Sequence, residues 1–250
     1  MVRQVRHGAA AVKVQYRSAS GQAVDTTLDR AALAELTEVL PVREFRWHQG
    51  QKHYSGWYWS STMQGHVVYE SRLELARILL ADFDPDVTAI ASQPFRLIGA
   101  NGTRIFRHVP DILLEMSDGG VMVVDVKSPD KRGDPNVKAL MEWTRHTVGL
   151  RGWAFEEWYG APIDLVANVR FLAGYRRRSV IDETLIPAVR DAASGPMAVI
   201  DLERSVTRAD PVLIRPVIMH LLWSEELATD LTRPLDGLSI VAPRLSGKAG

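Results

Sequence analysis

Asp125, Val126 and Lys127 close an apolar run, and an acid and a lysine at the end of such a run need partners. Residues 103–127 read TRIFRHVPDILLEMSDGGVMVVDVK. The first part, 105–115, is rich in β-branched and aromatic residues. Ser117-Asp118-Gly119-Gly120 is a turn signal, and 121–126 is a second short apolar run. The pattern predicts a β-hairpin. Side chains alternate along a strand, so Asp125 and Lys127 share a face with Val121 and Val123, while Met122, Val124 and Val126 take the other. A strand apolar on both faces is central and covered on both sides. Charges there are costly unless they are paired or bind something.

The rest of the chain frames this hairpin. Residues 67–82, VVYESRLELARILLAD, read as a helix whose apolar positions run almost all the way round. They leave one polar stripe of Glu70, Glu74 and Arg77. A carboxylate on so apolar a helix is either aimed at the hairpin or held in a Glu74–Arg77 pair. Asp84-Pro85-Asp86 ends that helix. A strand is predicted over 87–97, with Pro94 marking a bulge or an edge, and a turn over 99–102. After a polar loop at 128–135 come an amphipathic helix over 136–149 and a strand over 153–158. The order helix, strand, hairpin, helix, strand predicts an α/β domain, a mixed sheet flanked by helices, over 41–162.

Residues 1–40 are expected to form a small N-terminal extension, with a strand over 11–16, a turn at 18–21 and a helix over 29–40. Residues 163–250 are expected to form a C-terminal helical domain of winged-helix type. Helices are predicted over 164–175 and 181–193, and another over 212–223 opened by Asp210-Pro211. A short hairpin follows over 227–241, and the last residues, 246–250, are expected to fray. Arg176-Arg177-Arg178 reads first as a solvated helix end, with phosphate binding as the alternative. Residues 41–66 interleave Trp47, Trp57 and Trp59 with Arg43, Arg46 and Lys52. Such a stretch either packs its aromatics on the core or stacks on nucleic acid. His48, His53 and His66 lack a zinc-ligand spacing.

The 250 residues carry 30 basic and 30 acidic side chains, a formal net charge of zero. Bulk charge therefore announces no nucleic-acid partner, and any such partner would need a local patch. The chain has no cysteine, which excludes disulfides and cysteine-held zinc and suits a reducing, cytoplasmic setting. No apolar stretch is long enough to span a membrane, and no leader is expected.

Asp111, Asp125 and Lys127, with Glu74 on the preceding helix, form a set suited to phosphodiester hydrolysis. Carboxylates binding a hard cation neutralise the phosphate and acidify a bound water. Asp111 and Asp125, with the Val126 carbonyl, are candidate ligands of Mg²⁺, for which Mn²⁺ can substitute. Lys127 would orient or deprotonate the attacking water or stabilise the pentacovalent charge. Glu74 would complete the metal shell or hold Lys127, and Glu70 is its substitute. The chain has only six lysines, so one on a core strand is the more telling. The structural alternative is an ion pair of Asp111 or Asp125 with Lys127 at the sheet end.

This pattern resembles the PD-(D/E)xK nucleases, the restriction-endonuclease-like superfamily. More closely, it is similar to the TnsA-like endonuclease subunits of heteromeric transposases. The residues that carry the likeness are YESRLELARILLADFDPDV at 69–87, SQPF at 92–95, HVPDILL at 108–114 and VVDVKS at 123–128, with PVREFRWHQG and GWYWS upstream and VIMHLLWSEELATDL at 217–231. The resemblance implies a restriction-endonuclease-like fold and catalytic roles for Glu74, Asp111 and Lys127. It places Asp125 where the founding member has glutamine, and puts Gln93 beside the site. It also implies DNA nicking at the 5′ ends of a mobile element, in company with a DDE-type transposase subunit and an ATPase regulator. A net charge of zero suits an enzyme brought to DNA by such partners. The alternatives are a stand-alone restriction or defence nuclease, or a non-catalytic subunit bridging DNA to partners.

Overall fold

The structure is a computed structural model and describes residues 9–42, 54–207 and 209–244. It is an α/β protein that divides into two units between Gly160 and Ala161. The first unit contains β1 (Lys13–Arg17), β2 (Ala23–Thr27), α1 (Leu33–Thr37), β3 (Gly56–Ser60), β4 (Gly65–Tyr69), α2 (Arg72–Phe83) and β5 (Val87–Ser92). It continues with β6 (Arg96–Asn101), β7 (Arg104–His108), β8 (Ile112–Met116), β9 (Val121–Val126), α3 (Pro135–Gly149) and β10 (Ala154–Trp158).

Two four-stranded sheets carry this unit, ordered β2-β1-β6-β7 and β10-β9-β8-β5. The first is antiparallel throughout. The second is mixed, because β10 runs parallel to β9 while β5, β8 and β9 alternate. One long hairpin, β5-β6 against β7-β8, runs through both. Its strands change sheet at Gln93-Pro94-Phe95 and at Val109-Pro110-Asp111. Proline gives no N–H to a ladder, so two prolines at the same height end both pairings together. The pairs Ser92 with Ile112 and Leu97 with His108 leave residues 93–96 facing 109–111, one extra on the first strand. That bulge is taken up at Gln93, whose φ is 46°.

The expected hairpin is formed by β8 and β9, but its first strand, expected over 105–115, is corrected: it is two strands, β7 and β8, in different sheets. The expected strand over 87–97 is likewise β5 and β6. The turn expected over 99–102 is carried by Gly102-Thr103. Gly99 lies within β6, where a Cβ would come 3.1 Å from the Trp143 ring.

The helix expected over 67–82 begins later. Val67 and Val68 pair with β3 in a two-stranded sheet, and Ser71 caps α2, its Oγ accepting the Glu74 N–H at 3.0 Å. β-Branched residues favour the strand and the cap fixes the start. Asp82, buried at the other end of α2, accepts from Tyr58 Oη (2.7 Å), Ser60 Oγ (2.6 Å) and the N–H groups of Ser61 and Thr62 (3.0 and 2.8 Å). One carboxylate thereby ties the β3–β4 hairpin to α2.

The amphipathic helix expected at 136–149 is α3, capped by Asp134, and the last strand is β10. Leu113 and Val123 enter a core with Leu36 of α1, Trp143 and Val148 of α3, and Val14, Leu97 and Phe106 of the other sheet. α2 packs on β5 and β9. Residues set apart in the sequence as 1–40 supply β1, β2 and α1, and β1 pairs with β6. The helix expected over 29–40 is only Leu33–Thr37.

In the second unit α4 (Ile163–Leu172), α5 (Ile186–Ala192), β11 (Met197–Ala198), α6 (Val199–Ser205), α7 (Pro211–Trp223), β12 (Leu227–Ala228) and β13 (Ile240–Pro243) follow in order. α7 starts at the Asp210 cap, whose carboxylate accepts the Val212 N–H at 2.9 Å, and buries Ile214, Val217, Ile218 and Leu221. β12 and β13 form the expected hairpin, and β11 pairs with the other edge of β13. Asn168 holds the connecting loop, donating to Leu231 O and Arg233 O and accepting from Leu235 N–H.

Of the aromatic and basic stretch at 41–66, Arg43, Arg46, Trp47, His48, Lys52 and His53 lie outside the described residues, as does the tail at 246–250. Trp57 is 67% exposed on β3 and Trp59 is half-buried. No helix among the described residues is long and apolar enough to cross a membrane.

Candidate active site

The double proline bend delivers Asp111 to the second sheet. Its backbone N–H donates to Val124 O (3.2 Å), its carbonyl accepts from Gln93 N–H (2.9 Å), and its carboxylate accepts the Val126 N–H at 2.7 Å. β9 brings Asp125 alongside, fully buried, and the Lys127 N–H donates to Trp158 O at 2.9 Å, which fixes the end of β9. The Lys127 ammonium then lies 3.1 Å from Asp111 Oδ2, 3.2 Å from Asp125 Oδ1 and 3.1 Å from Val126 O. Three of the oxygens anticipated as cation ligands thus converge on one positive charge.

Sequence reasoning missed His108. Its Nε2 lies 2.9 and 2.7 Å from the two Asp125 oxygens, and both residues are buried. The available signal was a histidine two positions before Pro-Asp, on the same strand face as Phe106. Its meaning depended on the bend that turns β7 toward β9.

Burial and charge separate the two aspartates. Burial would raise the Asp125 carboxyl, but the hydrogen bond and charge of His108, with the Lys127 ammonium, hold it below the usual range. Asp111 is raised, first by burial and then by the Asp125 charge, against the pull of Lys127. Burial works to lower Lys127, yet the two carboxylates outweigh it and keep the ammonium charged.

Glu74 sits in the first turn of α2. Its Oε2 accepts the Glu70 N–H (2.9 Å) and its Oε1 accepts the Ser71 hydroxyl (3.1 Å), a reciprocal cap. Burial, with the charges of Asp111 and Glu70, pushes its carboxyl up to about 7. Glu74 therefore feels Asp111 but makes no hydrogen bond to Lys127. The alternative pairing of Glu74 with Arg77 is not formed either, since Arg77 bonds Glu156 at 2.7 Å. Glu70 lies in the turn before α2. Gln93 is buried beside Asp111 through its backbone, while its Oε1 has no hydrogen-bond partner among the described residues.

Asp111, Asp125 and the Val126 carbonyl are hard oxygen donors around one cationic point, which fits Mg²⁺ or Mn²⁺. Among the described residues no three acidic or histidine side chains gather closely enough to hold a metal ion by themselves. Two carboxylates and a carbonyl still suffice for Mg²⁺, which keeps several waters and binds substrate phosphate. Glu74 is bonded within its own capping turn and feels the Asp111 charge.

No protein-family model matches the chain, and no curated protein matches it.

Proposed function

We propose that this chain is a metal-dependent DNA endonuclease, the TnsA-like subunit of a heteromeric transposase, which nicks the 5′ ends of a mobile element by phosphodiester hydrolysis. The observation that carries the reading is the convergence of Asp111 Oδ2, Asp125 Oδ1 and Val126 O on one positive charge at the double bend. The restriction-endonuclease-like fold and the transposase and ATPase partners belong to the same proposal and rest on the resemblance of 69–87, 92–95, 108–114 and 123–128, while the winged-helix character of the second unit rests on that of 217–231.

Asp111, Asp125 and the Val126 carbonyl would hold Mg²⁺. Bound there, the ion supplies charge neutralisation at the phosphodiester and a more acidic water. For these oxygens to face a cation, the Lys127 ammonium must move off them. A charged Lys127 acts as a hydrogen-bond donor to developing negative charge rather than as a base. Glu74, with a carboxyl near 7, is suited to take or give a proton at neutral pH.

The first test is thermal melting under Mn²⁺ and Mg²⁺ titration. Cation at about 100 times its Kd should stabilise the wild type by roughly 2.7 kcal/mol, and Asp111→Ala should abolish the effect. Nicking of an end-containing duplex, with the partner proteins present, is the second readout. The contacts of Lys127 with both aspartates also favour a second reading, a non-catalytic subunit that keeps the site as a structural ion cluster. A melt unmoved by metal, with and without duplex, would select it.

A further inference from the structure

The antiparallel sheet β2-β1-β6-β7 has a core face and an open face. Val14, Tyr16, Leu97 and Phe106 point into the core. By the register, the opposite face carries Lys13, Ile98 and Arg107 in one row and Asp25, Gln15 and Arg96 in the next. Lys13, Arg96 and Arg107 are exposed, and Ile105 beside them is 60% exposed. No carboxylate among the described residues pairs with any of these three cations. Some arginines elsewhere are matched, as in Arg77–Glu156, Arg145–Glu157, Arg190–Glu226 and Arg215–Glu203, while others, such as Arg30, Arg170 and Arg204, stand exposed and scattered. The face's own acid, Asp25, is engaged by the Gln15 amide at 3.0 Å.

Charges on an edge strand commonly block unwanted strand pairing. That explains Arg107 on β7, but not Lys13 or Arg96, because β1 and β6 are inner strands. In a chain of zero net charge, three exposed cations with no carboxylate partner among the described residues thus share one sheet face. β7 runs from that face into His108, which holds Asp125, and β6 starts at the bend beside Asp111.

We propose that this face, through Lys13, Arg96 and Arg107, docks the phosphate backbone of duplex DNA next to the bend. The inference rests on the nuclease reading for its choice of DNA over other polyanions. Phosphates complement unpaired, exposed cations, and each contact releases condensed counterions, so binding must weaken steeply with salt.

The test is fluorescence anisotropy of the full chain on a short labelled duplex, titrated from about 50 to 200 mM salt. The variants are Lys13→Gln/Arg96→Gln/Arg107→Gln and, as a bulk-charge reference, Arg30→Gln/Arg170→Gln/Arg204→Gln. All six positions are exposed, and matching melting temperatures check the fold. The face variant should bind at least about 10-fold more weakly, with a log–log salt slope shallower by roughly 2 to 3. The reference variant should keep most of the affinity. Equal losses in both variants, a face variant that binds like the wild type, or a wild type with no salt-dependent duplex binding each overturn the proposal. So does a face variant that loses only polyglutamate binding, which assigns the face to an acidic protein. Asp111→Ala separates the two readings: it should bind duplex like the wild type yet not nick it. Nicking by a wild type whose face variant binds undiminished removes this proposal and leaves the nuclease reading. Face-dependent binding without Asp111-dependent nicking, partners present, does the reverse.

Discussion

Glu74 couples the candidate site to pH. Its carboxyl is raised from 4.5 to about 7, by burial first and then by Asp111 and Glu70. Between those values the folded chain keeps a proton that the unfolded chain has lost. Stability contributed by this group therefore falls as pH rises from about 4.5 to 7, then levels off. The drop is of the order of 2 to 4 kcal/mol. Glu74→Gln cannot ionise, so urea unfolding at pH 5 and pH 8 should show a flatter profile than wild type by about that amount. Lys127 makes the opposite kind of prediction. Its ammonium shares the oxygens that a divalent cation would use. Lys127→Ala should retain or strengthen the Mn²⁺-induced rise in melting temperature while nicking falls at least about 100-fold. A variant that loses both together would mean that Lys127 builds the oxygen cluster rather than acting in it.

At the scale of elements, the candidate site is a product of one bent hairpin. Pro94 and Pro110 interrupt neighbouring strands at one level, and Gln93 absorbs the extra residue with a positive φ. Asp111 follows the second proline directly, so its carboxylate is aimed by the bend and then pinned by the Val126 N–H. Pro110→Ala frees the unfolded chain and relaxes the bend. It should cost only about 1 kcal/mol of stability, yet reduce the metal-dependent shift in melting temperature, because Asp111 is no longer held against β9. An unchanged metal response in a folded Pro110→Ala protein would assign the aim of Asp111 to the Val126 hydrogen bond alone. The capping pair of Ser71 and Glu74 does comparable work for α2, fixing both where the helix starts and where its acid lies.

At the scale of the molecule, the candidate residues all lie in the first unit, before Gly160. Its core draws on β1, α1, β6, β7, β8, β9 and α3, so residues expected to form a small N-terminal extension are part of it. A chain of residues 1–160 should melt cooperatively and keep the Mn²⁺ response, measured by circular dichroism. A chain lacking 1–40 should not fold, since removing β1 strips Val14 and Tyr16 from the core and opens the edge of β6.

Local chemistry determined much of this protein. The apolar run that ends in Asp125-Val126-Lys127 was readable as a buried strand, since alternation and burial cost act over a few residues. The starts of α3 and α7 were readable from Asp134-Pro135 and Asp210-Pro211, because a cap needs only its own turn. The association of Asp111, Asp125 and Lys127 followed from the same local patterns. Tertiary structure decided the rest. One apparent strand, 105–115, became two because Pro110 is matched by Pro94 on the partner strand, a coincidence visible only once the register is known. His108 acquired Asp125 through that bend. Glu74 took a backbone cap rather than Lys127 because the helix began at Ser71. The cationic face exists only because pairing brings Lys13, Arg96 and Arg107 together from three separate strands, and sequence distance carries no information about such pairing.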